Sequence, residues 1–206
     1  MSRGAFIFLA LIAGSAFAQP NGILLVARPG MPDPNFSETV VLVTWTEDAS
    51  TVGVVLNRPS VRRLVDIAPT WSGAEDFKEQ IYSGGPVMRQ VLVAVFESQN
   101  EPKERAFRVL PHLYISMHPG NLEPLIARPP ARMRLYSGFS GWAPRQLESE
   151  VDRGTWYMVR ATEDVIFRKD TAGMWRELVE KAQGSRTFLD SDTRFAARAP
   201  LDILGP

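Results

Sequence analysis

Thr39–Trp45 (TVVLVTW) and Thr51–Asn57 (TVGVVLN), joined by Thr46–Ser50 (TEDAS), decide the fold class. Each run is short and rich in β-branched residues, the composition of a strand rather than a helix. A link as tight as Glu47–Ser50 joins antiparallel neighbours, because a parallel crossover needs a dozen residues or more. The same signal recurs outward in both directions. Ile23–Arg28 (ILLVAR), Gln90–Phe96, Ala106–Leu110, Leu113–Ser116, Arg132–Ser137 and Thr155–Arg160 read as strands between Pro, Gly, Asn and Asp clusters, with a further strand near Ile81. Helical periodicity is rarer. Pro144–Arg153 opens on proline, places Leu147 and Val151 one turn apart and stops at Gly154. Met174–Ala182 sets Trp175, Leu178, Val179 and Ala182 on one face. Ser72 followed by Glu75 forms a capping box for a short helix before Ile81. The expectation is a single α+β domain over residues 19–185, built on a mainly antiparallel sheet. A polar, aperiodic tail follows over 186–206.

The N-terminus has its own grammar. Arg3 is the only charge in the first eighteen residues, and Ala5–Ala18 (AFIFLALIAGSAFA) is uncharged and apolar. That run closes on Ala16-Phe17-Ala18, the small-x-small pattern of a signal peptidase site, with cleavage between Ala18 and Gln19. As a helix it would rise about 21 Å, short of a hydrocarbon core of about 30 Å. A helix packed on the domain is the alternative, but it would show a polar stripe, and this run has none. Residues 1–18 are therefore read as a signal peptide. The mature chain is expected in the periplasm or secreted, with no membrane contact after cleavage.

Composition narrows the classes of function. Removing eighteen of 206 residues leaves 188, enough for one core of ordinary size. Losing Arg3 takes the basic count from 23 to 22 against 23 acidic residues, a formal net charge of −1. Such a domain lacks the positive field that non-specific nucleic-acid binding needs. The absence of cysteine removes disulfides and thiolate metal sites.

The chemistry-bearing motifs are few. His112 and His118 are six residues apart, not the i, i+4 spacing of a zinc helix, and no third histidine exists. Pro111 and Pro119 flank them, which favours strand and loop over helix. No phosphate-cradling G-x-x-x-x-G-K or dinucleotide G-x-G-x-x-G occurs. In Gly138-Phe139-Ser140-Gly141 the second glycine comes one residue early for a nucleophile elbow, so Ser140 reads as a polar residue in the turn before the Pro144 helix. Carboxylates are scattered. Arg128, Arg132 and Arg134 cluster beside two prolines, as a solvated edge feature first and an anion patch second. No catalytic residue, metal ligand or cofactor site is assigned.

Three turns carry more. Arg28–Phe36 (RPGMPDPNF) is a rigid loop with an aromatic anchor. Asn57-Arg58-Pro59 and Gly84-Gly85-Pro86 each end a strand, either as corners of a twisted sheet or as parts of a binding site. Pro29–Phe36 with Thr39–Leu42, Gly53–Pro59, Gly84–Val87 and Gly138–Trp142 through Gln146-Leu147-Glu148 resemble, in order, the motifs of the bacterial YqgE/AlgH family. Gly154, Trp156 and Trp175 are similar to its closing segments. The resemblance runs from about Ile23 to about Ala182. It implies a bifurcated, partly barrel-like antiparallel sheet flanked by a few helices, in a family whose biochemical activity is not established. One branch of that family is labelled a transcriptional regulator. The sequence departs from the pattern in its export signal, in Arg145 where glycine is common, and in the tail.

Two classes of function follow. The first is a non-enzymatic binding module with a groove made by Asn57, Arg58, Gly84, Gly85, Gly141 and Trp142. Arg58 would supply charge, the glycine N–H groups would surround an anion, and Trp142 would form an apolar wall. Its partner would be a small anion or a protein. The second is a hydrolase with His112 or His118 as base, which requires either histidine beside a serine or carboxylate in a cleft. DNA-binding regulation ranks third, opposed by the charge and the export signal.

Overall fold

A computed structural model describes residues 22–184 of the chain. The residues read as a signal peptide, the expected Ala18–Gln19 cleavage point and the tail over 186–206 lie outside the described residues. The strands are β1 Ile23–Ala27, β2 Val40–Trp45, β3 Thr51–Val55, β4 Ile81–Ser83, β5 Val87–Glu97, β6 Phe107–Leu110, β7 Leu113–Ser116, β8 Met133–Trp142 and β9 Trp156–Arg160. The helices are α1 Leu64–Ile67, α2 Pro119–Ala127, α3 Gln146–Asp152, α4 Glu163–Ile166 and α5 Met174–Gly184.

Among the described residues, all nine strands join one sheet in the order β6-β7-β5-β8-β3-β2-β1-β9, with β4 added beside β8 as the sole parallel pairing. The domain is thus α+β with a mainly antiparallel sheet. The branch point is β8. Its first half pairs with β5 and β4, matching Leu135 to both Ala94 and Ile81. Its second half turns to β3, matching Gly53 to Ser140. The far edge strand β6 returns towards β1 and β2: Gly22 N donates to Val109 O at 2.7 Å and Thr44 Oγ1 to Arg108 O at 3.0 Å. No ladder forms there, so the sheet curls without closing into a barrel.

This curl explains the continuous apolar runs. All five residues of β1 and all five of β3 are buried, because both faces of those strands are covered. Leu24, Val26, Leu42, Val54, Val95 and Tyr136 fill the inner face beneath Ile166, Met174 and Leu178 of α4 and α5. Leu25, Val41, Val43 and Val55 fill the outer face under Leu147 and Val151 of α3. A third cluster sets Ala94, Phe96 and Leu135 against Leu64, Leu122 and Ile126 of α1 and α2. Each buried leucine contributes roughly 1.5–3 kcal/mol before entropy is counted. Trp175 Nε1 donates to Ala27 O at 2.7 Å and pins α5 to the end of β1.

Several local expectations change. Residues 72–76 form turns rather than a helix, and the short helix of that region is α1, upstream. α3 starts at Gln146, not Pro144, because Arg145 takes a left-handed φ of 68° and breaks the approach. Ser140 is no turn residue: it is fully buried within β8. The two histidines straddle β7, His112 in the β6–β7 turn and His118 as the cap of α2, where its Nδ1 accepts from Gly120 N at 3.2 Å. Pro119 at the first helical position starts this helix rather than preventing it.

Candidate functional site

The β1–β2 loop folds on itself first. Asp33 Oδ1 accepts from Asn35 N at 2.8 Å and from Asn35 Nδ2 at 3.0 Å, an Asx turn that sets the following carbonyls. Phe36 anchors the loop between Trp142 and Trp156, with ring centroids 5.8 and 5.5 Å away. The carbonyls so arranged hold Arg58. Its Nη1 donates to Asn35 O at 2.6 Å, and its Nη2 donates to Pro34 O at 3.0 Å and Ser37 O at 3.1 Å. Burial lowers the Arg58 pKa from its ordinary value, against the opposing pull of Asp33.

Asn57 extends the β2–β3 ladder with its side chain. Val40 N donates to Asn57 Oδ1, and Asn57 Nδ2 donates to Glu38 O, both at 2.9 Å. Gly84 bridges β3 and β8: its N–H goes to Ser137 O at 3.0 Å, and its carbonyl accepts from Val55 N at 2.8 Å. A Cβ on Gly84 would overlap the Gly138 carbonyl oxygen, so glycine is required by close approach.

Opposite this junction, β5 makes a long excursion. Its pairing with β8 passes from Val87–Phe139 to Leu92–Ser137, so Met88–Val91 bulge outward. Gly138, at φ 76°, gives the bulge room: a Cβ there would lie 3.0 Å from Arg89 Cα. The bulge brings Arg89 towards the β1–β2 loop, where Nη2 donates to Asn35 Oδ1 at 3.3 Å. Arg62 enters from the approach to α1. Its Nη1 donates to Ser137 Oγ at 2.9 Å and to Arg89 O at 3.2 Å, and the Ser137 hydroxyl donates to that same carbonyl.

The result is a cleft of about 280 Å³ lined by Arg58, Arg62, Arg89, Asn35, Ser83, Ser137, Gly85 and Pro86. Among the described residues, none of the three arginines has a carboxylate within salt-bridge distance.

Of the six groove residues read from sequence, Arg58 and Gly85 line this cleft. Asn57 and Gly84 stand behind it as backbone clasps. Gly141 lies in β8 opposite Val52. Trp142 is 4% exposed and packs in the α3 cluster, so it makes no wall. Sequence reasoning missed Arg62 and Arg89. Neither sits in a motif, and Arg62 lies 75 positions from Ser137, the residue that holds it.

His112 is exposed in the β6–β7 turn, and among the described residues the His118 ring accepts from Gly120 N rather than bonding a serine or carboxylate. Glu104 Oε2 stands 3.8 Å from His118 Nδ1, beyond hydrogen-bond reach, and Ser116 Oγ accepts from the His118 backbone N–H rather than meeting its ring. Among the described residues no three His, Cys, Asp or Glu side chains group to hold a metal ion. No described helix is long and apolar enough to cross a membrane.

Fold and cleft together define an α+β domain with a branched, open sheet and an arginine-lined cleft at the branch. The chain belongs to the AlgH-like family DUF179, which matches residues 24–187. It is 31% identical over 177 residues to a UPF0301 protein of Thermobifida fusca, covering 82% of this chain and 89% of that one. It is 34% identical over 155 residues to a UPF0301 protein of Myxococcus xanthus, covering 74% and 84%. The fold is similar to the solution structure of the AlgH protein from Pseudomonas aeruginosa, with TM-score 0.65 at 22% identity over 90% of this chain and 94% of that one. A crystal structure from Corynebacterium diphtheriae aligns with TM-score 0.63 at 25% identity over 79% and 86%.

Proposed function

We propose that this protein is a non-enzymatic binding module that holds a small anion in the cleft between Arg58, Arg62 and Arg89. One observation carries the reading: three guanidinium groups line a single cleft, and none forms a salt bridge among the described residues. Gathering like charges is unfavourable, and an anion between them reverses the sign of the interaction. Guanidinium forks match phosphate and carboxylate oxygens in pairs. Arg58 is committed to three loop carbonyls, so it contributes field. Arg62 and Arg89, each donating through one terminal nitrogen, contribute the direct contacts.

Titration of the purified chain with inorganic phosphate, followed by NMR shifts of the Arg62 and Arg89 amides, tests the reading. Arg62→Ala and Arg89→Ala should each weaken binding at least about tenfold, the worth of a charge-assisted hydrogen bond. Unchanged affinity in both variants, or no phosphate binding to the native chain, would overturn it.

The exported location is part of the same proposal and rests on the apolar run that ends in Ala16-Phe17-Ala18. Intact-mass measurement of the protein from separated cell fractions checks it. A species beginning at Gln19 outside the cytoplasm is expected, and a full-length cytosolic species would overturn it.

A further inference from the structure

The arginine cleft does not end at Arg62. The same residue also borders a second groove, of about 450 Å³, between the Ser60–Val65 segment and Ala74–Ile81. Val61, Val65 and Phe77 give this groove an apolar lining. Val61 is 101% exposed, a β-branched side chain that no part of the described chain covers. Apart from Arg62, the charged residues lining the groove are Arg63 and Lys78 against Glu75 and Glu79, so their formal charges cancel. Arg63 is occupied by Asp66 at 3.5 Å, and Lys78 Nζ donates to Glu75 O at 2.6 Å. One side of Arg62 is therefore a cationic cleft, and the other is a groove whose remaining charges cancel and whose apolar part is Val61, Val65 and Phe77.

Resting on the anion-binding reading, we infer that the ligand is a soluble anionic amphiphile, with a phosphate or carboxylate head at Arg62 and Arg89 and an apolar chain in the Val61–Val65–Phe77 groove. Charge complementarity fixes the head, and continuity through Arg62 fixes the direction of the chain. A lone inorganic anion would leave the second groove empty and Val61 exposed. An uncharged chain would leave the guanidinium groups without an ion pair in the cleft. A molecule that satisfies both regions is bipartite.

The test is calorimetric titration of the purified chain with methyl, butyl and hexyl phosphate, beside vesicles of phosphatidic acid in phosphatidylcholine. A buried methylene tightens binding about fourfold, so hexyl phosphate should bind at least about tenfold more tightly than methyl phosphate. Val61→Ser and Phe77→Ala should reduce that advantage while leaving methyl phosphate affinity unchanged. If Phe77→Ala loosens the fold, Val61→Ser decides alone, because its side chain is already in water. Equal affinity across the series, or a chain-length effect that ignores both substitutions, overturns the bipartite ligand and leaves the anion site standing. Vesicle binding without preference for the longer soluble phosphate also overturns it. Failure of every phosphate to bind removes the anion site itself.

Discussion

Trp142 and Trp156 meet edge to face, with ring centroids 6.3 Å apart, and both indole N–H groups donate to one oxygen, Glu150 Oε2, at 3.0 and 2.9 Å. Phe36 completes the cluster and so ties it to the loop that holds Arg58. A residue of α3 thereby supports, at one remove, a wall of the cleft. Glu150→Ala would leave two buried indole donors without partners, at about 1–3 kcal/mol each. A loss of about 2–6 kcal/mol is expected in urea unfolding, and Glu150→Gln should lose less because its amide oxygen still accepts. An unfolding midpoint unchanged in Glu150→Ala would contradict this account.

Arg58 is predicted to matter more for the loop than for the ligand. Its three bonds to backbone carbonyls are charge-assisted, and only a planar fork reaches all of them. Arg58→Ala should cost about 2–4 kcal/mol and accelerate hydrogen exchange at residues 28–38. Arg58→Lys should recover less than half of the loss. Full recovery by lysine would show that charge alone suffices.

The strands were legible because burial on both faces demands β-branched runs, and turns need Gly, Pro, Asn or Asp between them. β8 was legible only as far as Ser137. Its continuation, Gly138-Phe139-Ser140-Gly141, has the composition of a turn, yet it forms a strand because β3 pairs with it and because Gly138 absorbs the bend. The helices α1 and α4, four residues each, are too short to show a period, and α2 carries Pro124 inside it. Part of the cleft was visible for the same reason as the strands: Arg58 and Gly85 sit in turns with unusual chemistry. Arg62 and Arg89 acquire meaning only through the β5 bulge and the Ser137 hydroxyl, contacts that no local pattern encodes.

Acid should weaken the fold through a small set of exposed carboxylates. The hydrogen bond from Arg168, bidentate at 2.5 and 3.1 Å, holds Glu177 below its ordinary value. Asp48 is lowered by Thr46 and then by Ser50, and Asp66 by the Arg63 backbone N–H. A carboxylate whose folded pKa is depressed contributes stability above its unfolded pKa, and that contribution is lost as pH falls through the folded value. The decline should therefore begin near pH 4 and continue below it. Glu177→Gln should flatten this limb in unfolding midpoints measured from pH 6 to pH 2. A limb of unchanged steepness would place the titrating groups elsewhere.

Arg145 supplies a prediction of the opposite sign. It enters α3 at φ 68° and makes no side-chain cap hydrogen bond, so the left-handed backbone is strained without local compensation. That conformation costs an L-residue about 1–2 kcal/mol and costs glycine almost nothing. Glycine also gives the unfolded chain more freedom, which returns about 0.4–1 kcal/mol of the gain. Arg145→Gly should therefore stabilise the protein by about 0.5–1 kcal/mol, seen as a higher urea midpoint with an unchanged slope. The side chain is exposed and lies outside the arginine cleft, so phosphate binding should not change. A destabilised Arg145→Gly protein would mean that the guanidinium makes a contact worth more than the backbone strain. Weakened phosphate binding in the variant would instead tie the α3 entrance to the cleft.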